Sequence, residues 1–141
     1  KPQKIVFSYH GIPKKYLTSG DPYHCFCLKT TRLVKEFMKL DEEEVITTFQ
    51  SRFGRAEWLQ PYASETLKEL PSQGIKNVHI ISPGFSADCL ETLEELEVEN
   101  REYFEKAGGK KYLYIPCLND SSKHIEMMEK IIQKHTQGWQ I

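Results

Sequence analysis

The sequence predicts an α/β fold: a four-stranded parallel sheet with helices on both faces. Three observations predict it. Short runs of β-branched and aromatic residues alternate with segments of helical period, four times along the chain. The strand candidates are apolar runs rather than strict apolar–polar alternators, as expected of strands covered on both faces. The chain has 141 residues, 39% hydrophobic and 28% charged, which fits one ordinary globular domain over residues 1–141.

Each element has its own signal. Residues 4–9 form the first apolar run, followed by a turn-rich stretch carrying Gly11, Pro13, Gly20 and Pro22. Residues 23–40 place Thr30, Leu33, Val34, Phe37 and Met38 at helical spacing. Val45–Gln50 is the second strand. A polar loop with Arg52, Gly54, Arg55 and Trp58 leads to Pro61, which opens a helix over 61–70 that Gly74 closes. Residues 77–82 are the third strand, broken by Pro83 and Gly84. Residues 88–106 read as a long acidic helix with Asp88 as N-cap and Glu91 as its partner three residues on. Lys111–Ile115 is the fourth strand, stopped by Pro116, and residues 121–135 are the last helix, which Gly138 ends.

Composition narrows the function classes. With 19 basic and 20 acidic residues the net charge is −1, so the chain as a whole has no basic field to hold nucleic acid. No apolar run approaches the ~20 residues of a membrane span, and no secretory signal peptide is visible. Cys25, Cys27, Cys89 and Cys117 are too few for a disulfide framework, so a reducing cytoplasmic compartment is expected. The chain begins with Lys1 and meets Ile5, Val6 and Phe7 almost at once, which reads as a piece of something longer.

In open parallel sheets, ligands bind beyond the carboxyl ends of the strands. Three of those segments carry unusual chemistry. His10 follows the first strand, held by the turn of Gly11 and Pro13; it could accept a proton, bind a metal, or merely bond the loop backbone. Residues 50–61 mix Arg52 and Arg55 with Phe53 and Trp58, which suits a flat ligand with carboxylates or a charged loop over a packed Trp. Residues 88–105 hold eight acidic residues and one basic residue, Arg101. Within them Glu91, Glu95 and Glu99 recur every four residues. Like charges at that spacing destabilise an isolated helix, so the line is either a solvated face or a carboxylate ladder that collects a divalent first-row cation.

These residues occur in motifs that resemble the ferrochelatase family. The matching pieces are Ser8-Tyr9-His10-Gly11-Ile12-Pro13, Gly20-Asp21-Pro22-Tyr23, Gln50-Ser51-Arg52-Phe53-Gly54, Trp58-Leu59-Gln60-Pro61, Pro83 through Glu95, and Tyr114-Ile115-Pro116-Cys117-Leu118-Asn119. The resemblance implies the C-terminal half of an enzyme that inserts Fe²⁺ into protoporphyrin IX, the last step of haem biosynthesis. It implies one of two similar α/β domains, with porphyrin in the cleft between them and the N-terminal half of the same protein as partner. It places the active-site His on His10 and the active-site Glu on Glu91. Asp88, Glu95 and Glu99 join these two as metal-handling groups, and Trp58, Phe85 and Gln50 fall at the porphyrin pocket. An apolar porphyrin would bring this cytoplasmic protein into loose contact with a membrane surface, and the charge balance leaves no nucleic-acid partner expected. Cys89 stands where relatives often carry His. The tail from His135 to Ile141 contains no Cys, so no iron–sulfur cluster is expected. Two other classes stay open: a chelatase for another tetrapyrrole, coproporphyrin or a precorrin-type ring, and a non-catalytic tetrapyrrole-binding half-domain.

Overall fold

The computed structural model describes residues 1–139; Gln140 and Ile141, the end of the Cys-free tail, lie outside the described residues. Four strands form one sheet in the order β2-β1-β3-β4. They are β1 (Lys4–His10), β2 (Val45–Gln50), β3 (Asn77–Ile81) and β4 (Lys111–Ile115). Every pair is parallel. The register sets His10 beside Gln50 at the carboxyl ends of β1 and β2. The helices are α1 (Lys14–Thr18), α2 (Tyr23–Met38), α3 (Ala63–Glu69), α4 (Asn100–Lys106) and α5 (Ser122–His135). A π-helix over Glu91–Glu99 runs directly into α4.

Alternate residues of the strands feed two cores. Val6, Val78, Ile80, Tyr112 and Tyr114 face one side, where Leu67 of α3, Leu96 of the π-helix and Phe104 of α4 cover them. Phe7, Tyr9 and Phe49 face the other side with Cys27 of α2 and Leu59. The Tyr9 hydroxyl, buried there, is 2.9 Å from Thr31 Oγ1 of α2. Helices thus lie on both faces, as the apolar runs predict.

The cover is uneven. The middle of β1 is buried on both sides, whereas β3 alternates between buried and half-buried positions and β4 between buried and more open ones. Leu113 is 49% exposed. The last helix packs little for its length: His124 is its only buried residue, tied by Nδ1 to the Asn119 carbonyl at 2.7 Å. Ile125, Ile131 and Ile132 stay exposed. Among the described residues no helix is long and apolar enough to cross a membrane.

Several boundaries differ from expectation for local reasons. The helix after the second loop begins at Ala63, not Pro61; the Gln60–Pro61 peptide is cis and Tyr62 is still extended. The second helix ends at Met38 because Lys39 turns left-handed, with φ 55°. The five-residue α1 fills part of the stretch read as turn. The acidic helix starts after Asp88, and the expected capping pair does not form. Its place is taken by Thr92, whose Oγ1 accepts from the Cys89 amide at 2.9 Å, while Asp88 turns to other partners. Asn100 marks the join of π-helix and α4; it is 1% exposed, and neither end of its amide has a hydrogen-bond partner.

Candidate functional site

The sheet order reverses direction at β1, which has β2 on one side and β3 on the other. Loops leaving β1 and β3 therefore part at this point, and the crevice between them is where a doubly wound sheet binds ligand. His10 stands at its base. Its Nδ1 is 2.6 Å from the Gly11 carbonyl oxygen. A carbonyl can only accept, so Nδ1 carries the hydrogen and the Nε2 lone pair of the neutral ring is free. The backbone of His10 is fixed as well, since the Tyr23 hydroxyl donates to its carbonyl at 2.7 Å.

Two aromatic rings flank the imidazole. Trp58 lies 6.3 Å away between centroids and Phe85 6.4 Å, both tilted. Trp58 is buried and held at the back of the crevice by an isolated β-bridge to Pro13. Phe53 leans on it at 5.0 Å and is 73% exposed. Phe85 sits in the irregular loop that connects β3 to the π-helix.

A cavity of about 450 Å³ opens beside His10. Ser51, Arg52 and Phe53 line one side of it, and Glu91, Glu94, Glu95 and Glu99 line the other, with Leu90 at the rim. Four carboxylates against one guanidinium make it strongly acidic. Glu95 is anchored rather than free: the Ser51 amide donates to one carboxylate oxygen at 2.7 Å and the Ser51 hydroxyl to the other at 2.9 Å. Ser51 reaches it from a left-handed backbone, φ 64°, which a non-glycine residue adopts at a cost of roughly 1–3 kcal/mol. The Glu91 carboxyl is held below its usual range, chiefly by the adjoining Cys89 thiol and then by its own amide.

The structure brings His10, Glu91, Glu95 and Glu99 to one cavity, with Trp58 and Phe85 bracketing the His10 ring. Asp88 stands apart. Its Oδ1 accepts from the Tyr114 hydroxyl at 2.5 Å and the Cys117 amide at 3.2 Å, and its Oδ2 from Asn119 Nδ2 at 2.7 Å. Burial works against ionising Asp88, but the hydrogen bonds from Asn119, Tyr114 and Cys117 outweigh it and hold the carboxyl far below the ordinary carboxylate range. Its oxygens tie the β3 loop to the β4 loop. Gln50 also differs from expectation: it is 3% exposed, and its amide points into the protein rather than the cavity. Among the described residues no three His, Cys, Asp or Glu side chains converge to hold one metal ion. The acidic groups are strung along the cavity wall instead. Ser51 and Glu94 were not among the expected site residues. Glu94 was legible as one more acid on the same helix, but the role of Ser51 depends on a backbone angle.

Comparison with known proteins bears on the family and the fold. The ferrochelatase family model matches residues 1–136. The ferrochelatase of Pseudoalteromonas atlantica is 60% identical over 97% of this chain, which covers 38% of that protein. The ferrochelatase of Marinobacter nauticus is 55% identical over 99% of the chain and 38% of its own length. Ferrochelatase 2 of Shewanella oneidensis is 57% identical over 96% of the chain and 41% of its own length. The chain thus spans about two fifths of these relatives, consistent with one of two domains. A crystal structure from Marinobacter aquaeolei, described as a CbiX protein of cobalamin (vitamin B12) biosynthesis, superposes with a TM-score of 0.60 over 96% of this chain and 98% of that one. At 10% identity that likeness shows the fold alone. With the family model spanning all but the last few residues and relatives at 55–60% identity, the chain belongs to the ferrochelatase family.

Proposed function

We propose that this chain is one wall of the active-site cleft of an enzyme that inserts Fe²⁺ into protoporphyrin IX, the other wall coming from the remainder of the same protein. The observation that carries the reading is the state of His10: one ring nitrogen is bonded to Gly11, the other is left free beside two aromatic rings and an acidic cavity.

Metal insertion is a proton-transfer problem. Free-base porphyrin holds two pyrrole N–H protons, and both must leave as the dication enters. The neutral product takes the ring's two nitrogen anions and the two charges of the metal, so two protons go to the protein or solvent. Nε2 of His10 accepts the first. A positioned general base contributes ~10²–10⁴-fold. Glu91, already ionised, stabilises the imidazolium that results. Glu95 and Glu99 continue the line toward solvent and carry protons, or the incoming Fe²⁺, along the cavity wall. Trp58 and Phe85 supply apolar surface for a flat macrocycle. Exposed Phe53 and Leu90 at the rim suit a cytoplasmic enzyme that meets its apolar substrate at a membrane surface.

The test is anaerobic Fe²⁺ insertion by the full-length protein, followed by loss of free-porphyrin fluorescence, in wild type, His10→Ala and Glu91→Gln. Both folded variants are expected to lose at least ~10²-fold in kcat. Near-full activity in His10→Ala would remove the base from this mechanism. Turnover of coproporphyrin in preference to protoporphyrin would move the substrate and keep the site. Tight porphyrin binding without turnover in wild type would reduce the protein to a binding module.

A further inference from the structure

We infer that Gln50 is a positioning residue, which sets where Glu91 stands relative to His10; this rests on the chelatase reading of the same site. Gln50 closes β2 directly beside His10 in the parallel register. It is a long polar side chain, 3% exposed, at the join of three strand ends and the acidic helix. Its Oε1 accepts from the Ser8 hydroxyl of β1 at 2.7 Å. Ser82, just after β3, lies 3.2 Å from the same oxygen and 2.8 Å from the Ser8 carbonyl. A hydroxyl has one hydrogen, and the shorter bond to the Ser8 carbonyl takes it. The Gln50 Nε2 donates to the backbone carbonyl of Glu91 at 2.7 Å.

This arrangement admits one orientation of the amide. Reversed, the amide oxygen would face the Glu91 carbonyl and two acceptors would meet without a proton between them. Ser8, Ser82 and Gln50 are each at most 3% exposed, so a broken bond here is not replaced by water. The Pro83–Cys89 loop before the helical segment contains no helix or strand, only a turn at Pro83–Gly84 and a bend at Ser86–Ala87. The bond from Gln50 is thus a rigid link from the sheet to the first residue of the π-helix. Through it the strand that neighbours His10 also fixes Glu91. Gln50 does not line the cavity; it acts by holding the partner of the base.

Two near-isosteric replacements test this in the full-length protein. Gln50→Met removes both hydrogen-bonding functions. Gln50→Glu keeps an acceptor toward Ser8 and, when ionised, sets an oxygen anion against the Glu91 carbonyl. When protonated, its O–H restores the donor. The ionisable groups near position 50 are His10 on β1 and Glu91 and Glu95 on the π-helix, all present in both variants and in wild type. Supporting groups of this kind typically matter by ~10–100-fold. The expected result is a kcat lower by that factor in Gln50→Met, with the KM for porphyrin changed by less than about threefold. The kcat of Gln50→Glu relative to wild type should recover as pH falls, while that of Gln50→Met stays flat. Amide hydrogen exchange should quicken in the π-helix and not in α4. A wild-type kcat in Gln50→Met, a loss confined to KM, or the same pH profile in both variants would overturn the positioning role. If Gln50→Glu does not fold, the kcat–KM split and the exchange pattern of Gln50→Met decide alone. Absence of insertion by wild type would instead refute the chelatase reading.

Discussion

Replacing Gly11 by alanine should damage the site out of proportion to the stability it costs. A Cβ at residue 11 would lie 2.9 Å from the Gln50 carbonyl oxygen and 3.1 Å from Trp58 Cε3. Neither neighbour can yield freely. The Gln50 carbonyl accepts the Gly11 amide at 2.8 Å, and Trp58 is 5% exposed. Relief therefore requires the β1 end, the β2 end and the Trp58 ring to separate by several tenths of an ångström. Overpacking of this kind costs about 1–3 kcal/mol. At about 2–4 °C per kcal/mol for a chain of this class, the melting temperature should fall by roughly 5 °C. The residue next to the substitution is His10, and its Nδ1 is bonded to the carbonyl of residue 11 itself. A 1 Å misplacement of catalytic groups costs about 10²-fold, so a shift of about half that should cost about tenfold in kcat. Gly109→Ala is the control. There the new methyl would run into the buried Phe104 ring, at the start of β4, the opposite end of the sheet from His10. It should cost more stability than Gly11→Ala and leave the specific activity of folded protein intact. Thermal melts and Fe²⁺ insertion on the same samples compare the two. Equal specific activity in both variants would refute the claim that Gly11 spaces His10 against Trp58.

The remaining predictions concern the two kinds of carboxylate. Glu95→Gln should raise the Fe²⁺ concentration needed for half-maximal insertion severalfold while porphyrin binding holds; an unchanged metal dependence would return the acidic line to a solvated face. Asp88 has a folded-state pKa below its unfolded value of ~3.9, so its stabilisation is present above about pH 4 and is lost as pH falls below it. Urea midpoints should accordingly show Asp88→Asn less stable than wild type at pH 7, the gap narrowing toward pH 3. A gap that is constant with pH would mean that shape, not charge, holds Asn119 and Tyr114 to this position.

Much of the fold was legible because the strands announce themselves. Val45–Gln50 and Lys111–Ile115 were bounded correctly by apolar content and by the breakers around them. The five-residue α1 was not, since it is too short to show a period and lies between Pro13 and Gly20. Spacing of three and four residues in the acidic segment signals a helix but does not distinguish an α-helix from a π-helix. Asp88 looked like a cap because the nearest amides in sequence are its usual partners. The donors that claimed it, Tyr114 and Asn119, are 26 and 31 residues away. Helices cover both faces as expected, but one side of β4 stays more open because the cluster around α2 gathers mainly over β1 and β2. For the site, residue type and position at strand ends were enough to find His10 and Glu91. The left-handed turn at Ser51 and the inward amide of Gln50 depend on where strands meet, which a single sequence does not display.

The π-helix gives the segment from Glu91 to Glu99 a fixed length as well as a composition. Each residue of an α-helix advances about 100° around the axis. Removing one residue, with the winding of the rest unchanged, would keep the chain unbroken but turn one side of the gap against the other by about that angle. The α4 end is pinned by Phe104 and Tyr112 in the core, so the rotation would fall on the other end. Glu91 and Glu95 would swing about a quarter turn away from His10, with every carboxylate still present. A deletion at this spot would thus be silent to composition and destructive to geometry, whereas the exposed stretch 54–56, which lines no part of the cavity, could vary in length at far smaller cost.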